Sequence, residues 1–133
     1  MNIKLLRQIK REILKRPTQF NMNWWFQKRD SLGNRAGGCG TAACIAGWAV
    51  AIAGTEKGET IRLAEFSGGS FFDTNTPDSA KSILDISDDH AHRLFDRSNW
   101  PMRYLDERAN TSMKVAKLAA ARIEHFIKTK GRE

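Results

Sequence analysis

Cys39 is the residue of this chain whose type and setting most directly suggest covalent chemistry. It lies in the glycine-rich run Gly37-Gly38-Cys39-Gly40-Thr41, just ahead of an apolar stretch that reads as a helix. A thiol delivered to a helix N-terminus faces unpaired backbone N–H groups, which favour the thiolate. As a nucleophile it would need a base, for which His90 and His92 are the candidates, with Asp88, Asp89 or Asn99 to orient them. The backbone amides from Gly40 to Ala42 would then hold the oxyanion. A free cysteine is more commonly a small buried hydrophobe, and packing is the favoured reading of Cys39. The balance leans away from an enzyme.

Cys39, Cys44, His90 and His92 are also the candidate zinc ligands. Both Cys-x4-Cys and His-x-His are looser than the spacings of structural zinc sites. Residues two apart on a helix point to nearly opposite sides, so the two histidines do not readily share an ion. No metal and no cofactor is expected.

A third chemistry is anion binding. Lys4, Arg7, Arg11 and Lys15 recur at spacings of three and four, one face of a helix, and Lys114, Lys117 and Lys128 would extend it. Such a stripe suits nucleic acid, although a merely solvated face is the plainer account. Among the aromatics, Trp24, Trp25, Phe26, Phe71, Phe72 and Trp100 should mostly be core; exposure of Trp25 or Phe72 would mark a protein-binding surface.

The elements that must position these residues are helices. Residues Asn2 to Arg16 form an amphipathic helix with Leu5, Leu6, Ile9 and Ile13 on its inner face, ended by Pro17. The segment from Thr41, read as an N-cap, to Gly54, read as a terminal glycine, is apolar all round and must therefore be buried all round. Ala43, Gly47 and Ala51 give it a stripe without bulky side chains, where another helix can approach closely. Residues 55–75 are the least legible, with Ile61, Leu63 and Phe66 suiting a short strand or a helical turn. Thr76-Pro77-Asp78 and Ser87-Asp88-Asp89 then open two helices. Met102 to Arg108 suits another short one. A last helix spans Thr111 to Lys130, its inner stripe being Val115, Leu118, Ala119, Ile123 and Phe126. Arg122 falls inside that stripe and needs a buried acceptor, for which Asp85, Asp96 and Asp106 are the candidates.

A chain of 133 residues is one domain by length, here residues 1–133. Its 41% hydrophobic and 28% charged composition is that of a folded globule. The apolar run Ala42 to Ala53 has 12 residues. A span needs about 20, so no membrane segment is expected. Two cysteines are too few for a disulfide framework, and charged residues alternate with apolar ones from Ile3, unlike a secretory leader; a reducing cytoplasm is expected. The net charge of +7 is uneven: residues 1–35 carry +7, residues 36–102 carry −4 and residues 103–133 carry +4. Attraction between these segments is the favoured reading of that pattern, and a single basic face the alternative.

Cys39-Gly40-Thr41, Cys44 and Ala46-Gly47-Trp48-Ala49, with Leu94-Phe95 and Trp100-Pro101 downstream, resemble the pattern Cys-Gly-Thr-x-x-Cys-x-Ala-Gly-Trp-Ala of a group of small uncharacterised bacterial and phage proteins. Phe20-Asn21-Met22 and the closing Ala121-Arg122-Ile123-Glu124-His125-Phe126-Ile127 are similar as well. The resemblance implies that Cys39, Gly40, Thr41, Cys44, Gly47 and Trp48 act as one unit; it carries no activity, and His90 and His92 stand outside it. The expectation is thus a mostly α, single-domain helical bundle around a buried central helix, with room for one short strand pair. The function expected is that of a small non-enzymatic cytoplasmic module binding a protein partner. Nucleic-acid binding through the first helix is the alternative, and a thiol enzyme using Cys39 the third reading.

Overall fold

The computed structural model describes residues 1–22, 26–27, 42–61, 76–106 and 108–133, and it is mostly helical. Helix α1, Ile3–Lys15, begins where the Asn2 side chain accepts from the Leu5 N–H, and it buries Leu5, Leu6, Ile9 and Ile13. Each such side chain contributes about 1.5–3 kcal/mol when fully buried. The four residues and the face are those the periodicity predicts. A short 3-10 turn at Pro17–Gln19 follows, because proline cannot continue the helix.

Helix α2, Ile45–Gly54, is the interior axis: Ile45, Ala46, Gly47, Trp48, Ala49, Ala51 and Ile52 are buried. It starts three residues later than its composition suggests. Ala42–Ala43 forms strand β2, antiparallel to β1, Phe26–Gln27, with Phe26 opposite Ala43. Phe20 also bridges to Ala43, and the Ala43 carbonyl accepts from the Asn21 N–H at 3.0 Å. With its backbone committed to these partners, this segment stays extended. The N-cap is accordingly Cys44 and not Thr41. The other end also departs from expectation. Gly54 is the last helical residue and not a left-handed cap; Thr55 closes the helix by donating its hydroxyl to the Ala51 carbonyl at 2.7 Å.

The remaining helices are α3, Thr76–Leu84, α4, Asp88–Phe95, and α5, Ser112–Lys128. Ser87 caps α4 by accepting from the His90 N–H, and Thr111 caps α5 by accepting from the Lys114 N–H. Between α4 and α5 lie 3-10 turns at Arg97–Asn99 and Met102–Tyr104; among the described residues the second is all that forms of the helix expected to reach Arg108. The buried face of α5 comprises Ala116, Ala119, Ala120, Arg122, Ile123, Phe126 and Ile127, so Val115 and Leu118 sit at its half-buried margin.

Helices α3 and α5 end alike. The Ile86 N–H returns to the Lys81 carbonyl and the Gly131 N–H to the Phe126 carbonyl, with Asp85 and Lys130 in the left-handed region at φ of 53° and 54°. Helix α2 packs most extensively on α3 and also on α1, while α1 packs most extensively on α5. Trp48 fills the centre and donates its indole N–H to the Gln19 carbonyl at 3.1 Å. Trp100 is likewise buried and donates to the Leu94 carbonyl. Ile61 is buried but belongs to no regular element, whereas Leu63 and Phe66 lie outside the described residues.

Candidate binding surfaces

Cys39, Gly40 and Thr41 lie outside the described residues, as do Trp24, Trp25, Phe71, Phe72 and the side chain of Phe26. The cysteine at the helix N-terminus is Cys44. Its thiol is free and fully buried, and burial pushes its pKa from 9.0 up to about 11, outweighing the backbone amides of Gly47 and Ala46 that pull it down. A thiol so placed is protonated at neutral pH and is no nucleophile. Cys44, Gly47 and Trp48 are buried together in the core.

The histidines diverge as their spacing predicts. His90 turns its ring edge-on to Phe126, with centroids 6.0 Å apart, beneath Gly131. His92 is exposed and lines a groove of about 700 Å³ with Met22, Pro77, Lys81, Phe95 and Asp96. Across it, Lys81 of α3 donates to Asp88 of α4 at 2.6 Å, which holds the Asp88 carboxyl below its ordinary range. Among the described residues no three His, Cys, Asp or Glu side chains gather as a metal requires.

The basic stripe is real. Lys4, Arg7, Arg11 and Lys15 are all exposed, on the side of α1 opposite its buried face. Lys4, Arg11 and Lys15 form no ion pair with a described residue, and Arg7 reaches only Glu124 at 3.8 Å. Among the described residues the Met1 ammonium pairs with Asp85 of the acidic middle at 3.4 Å. No side-chain ion pair among the described residues joins α1 itself to that middle, and α1 packs most extensively on α5, the other basic end. The apolar faces of α1 and α5 drive that contact, and their charges follow the helices.

Sequence spacing alone misses a second cluster on this side. Lys10 of α1, Arg103 and Tyr104 of the 3-10 turn, and Glu124, His125 and Lys128 of α5 line a depression of about 420 Å³. Lys10 donates to Glu124 at 3.2 Å and holds that carboxyl below its ordinary range against the effect of partial burial. Lys10 escapes notice in the sequence because it falls between the apolar face and the basic stripe.

Arg122 is fully buried, and no side-chain carboxylate among the described residues lies within ion-pair distance of it. Its guanidinium donates to the main-chain carbonyls of Glu133, at 2.6 Å, and Arg93, at 3.0 Å, and lies 5.7 Å from the Phe126 ring. Asp85, Asp96 and Asp106 are engaged elsewhere or exposed: Asp96 accepts from Ser98, and Asp106 from Arg108. Main-chain oxygens thus hold Nη1 and Nη2, the Glu133 charge nearby favours the cation, and Nε is buried without a partner among the described residues. Burial lowers its pKa, yet from so high a starting value that the charge is kept.

No family model, curated protein or solved structure matches this chain. The fold itself defines a mostly α protein, and no helix among its described residues is long and apolar enough to cross a membrane.

Proposed function

We propose that this chain is a small non-enzymatic cytoplasmic module, of the bacterial and phage group its residues 39–49 resemble, and that it binds nucleic acid through the outer face of α1. The observation that carries the reading is the exposed and largely unpaired basic stripe of α1. The stripe Lys4, Arg7, Arg11 and Lys15 faces solvent along roughly 16 Å of helix, at 1.5 Å per residue. Helix α5 lies beside α1 and adds the exposed cations Lys114, Lys117 and Lys128. Charges that the protein leaves without partners are available to release counterions from a phosphate backbone.

The test is fluorescence anisotropy with a labelled oligonucleotide across a salt series. The affinity should fall steeply with salt, and each cation reversed among Lys4→Glu and Arg11→Glu should lower the log–log slope by about 1. Unchanged binding by the double variant removes the reading.

A protein partner is the second reading, supported by the groove beside Phe95 and by Met102, whose surface is 85% exposed. A photo-crosslinker at Met102 that captures no protein from a bacterial lysate, beside a salt-dependent oligonucleotide shift, would decide against it.

A further inference from the structure

The depression at the seam of α1 and α5 has a chemistry of its own. Arg103 is held in place from two sides: its guanidinium lies over the Tyr104 ring at 5.0 Å, and its Nη2 sits 2.6 Å from Nδ1 of His125. His125 is fixed in turn by the Glu133 carboxylate, 2.8 Å from its Nε2. Lys10 is anchored by Glu124. These contacts use only part of what each cation offers, since an ammonium has three donors and a guanidinium five. The remaining N–H groups, with the exposed Lys128, border one open hollow.

Lys10, Arg103 and Lys128, with Arg7 beside them at 3.8 Å from Glu124, stand against Glu124 and the Glu133 carboxylate that holds His125, which leaves two positive charges in excess. That excess matches a phosphomonoester, which carries about −1.5 to −2 near neutral pH, better than a backbone diester or a carboxylate with one charge. A pre-set guanidinium fork is the donor that matches phosphate geometry, and lysines supply point charges around it. A volume near 420 Å³ falls within the usual range for small-ligand sites, about 300–1,000 Å³. We propose that this hollow binds a phosphomonoester group, presented either by the phosphorylated end of a nucleic-acid strand or by a free mononucleotide. The inference deepens the nucleic-acid reading, adding to a sequence-blind basic face one point that selects for strand ends.

The test compares one short oligonucleotide with and without a 5′-phosphate, and adds adenosine monophosphate as the free probe. On the wild-type protein the terminal phosphate should tighten binding about tenfold, the worth of one charge-assisted hydrogen bond. Arg103→Gln should erase that difference while leaving the unphosphorylated oligonucleotide bound as before; Arg103 is exposed, so the fold is not at stake. Equal binding of the two oligonucleotides, with no saturable side-chain shift at Arg103 or Lys128 on adding adenosine monophosphate, overturns the site and leaves the basic-face reading intact. Saturable binding of the mononucleotide that Arg103→Gln abolishes, with no oligonucleotide binding at all, upholds the site as one for a free ligand and defeats the nucleic-acid reading. A phosphate effect that survives in Arg103→Gln overturns the assignment to this hollow.

Discussion

Arg122 Nη1 donates to the main-chain carbonyl of Glu133 at 2.6 Å, binding residue 133 to the buried face of α5. Through Nη2 the same guanidinium reaches the Arg93 carbonyl, so one side chain joins α4, α5 and the segment after it. Arg122→Met keeps most of the volume but strands both carbonyls. It should cost about 2–4 kcal/mol, from unsatisfied acceptors and imperfect packing. Urea denaturation measures this; a loss under about 0.5 kcal/mol, the range of ordinary surface substitutions, would show that the carbonyls do not depend on Arg122.

Gly131 has a φ of 79°, and a Cβ built there would come 2.8 Å from the His90 ring. Gly131→Ala should destabilise by about 1–3 kcal/mol, combining left-handed backbone strain with the clash. The two causes separate in a double-mutant cycle. In a His90→Ala background the clash disappears and the substitution should cost only the backbone part, about 1 kcal/mol. Full additivity of the two changes would show that the ring is not what excludes a side chain there.

Lys130 occupies the left-handed region at φ 54° as the residue that closes α5. Lys130→Gly relieves that strain but raises the entropy of the unfolded chain, for a net gain of about 0.5–1 kcal/mol. A higher thermal midpoint is the expected outcome. A lower one would mean that the Lys130 side chain makes a stabilising contact outweighing its backbone.

Cys44 provides a pH dependence of known sign. Its folded pKa of about 11 lies above the unfolded value of 9.0, so the folded state holds the thiol proton more tightly. The resulting stability is complete below pH 9.0 and is lost as pH climbs towards about 11. That difference in proton affinity corresponds to roughly 2–3 kcal/mol. Lysine and tyrosine titrate in the same window, so the quantity to measure is the difference between wild type and Cys44→Ala in urea midpoints from pH 8 to pH 11. A difference that stays flat across that window would place the thiol in contact with water.

Much of this fold is legible locally. Spacing alone finds the buried face of α1, because Leu5, Leu6, Ile9 and Ile13 fall on one side of any helix built from that segment. Ser87 and Thr111 announce α4 and α5, since a cap is a bond between residues three apart. The burial of α2 follows from its lack of any polar side. The divergence of His90 and His92 follows from their spacing in the same way. Each of these is settled by neighbours along the chain, within a few residues.

What tertiary structure decided involves partners far apart in sequence. Thr41 is as good a cap as Ser87 by type, yet α2 starts at Ile45 because Phe20 and Phe26 engage the Ala43 backbone. Arg122 shows in sequence only as a charge in an apolar stripe; its acceptors are carbonyls, which every residue carries and no composition reveals. The hollow of Lys10, Arg103 and Lys128 arises from packing α1 on α5, and no local spacing encodes it. Sequence therefore set which surfaces had to leave water, because that depends on side-chain type and helical period alone. Only the assembled chain set which polar groups meet, because hydrogen bonds and ion pairs need atoms within a few ångströms whatever their separation along the backbone.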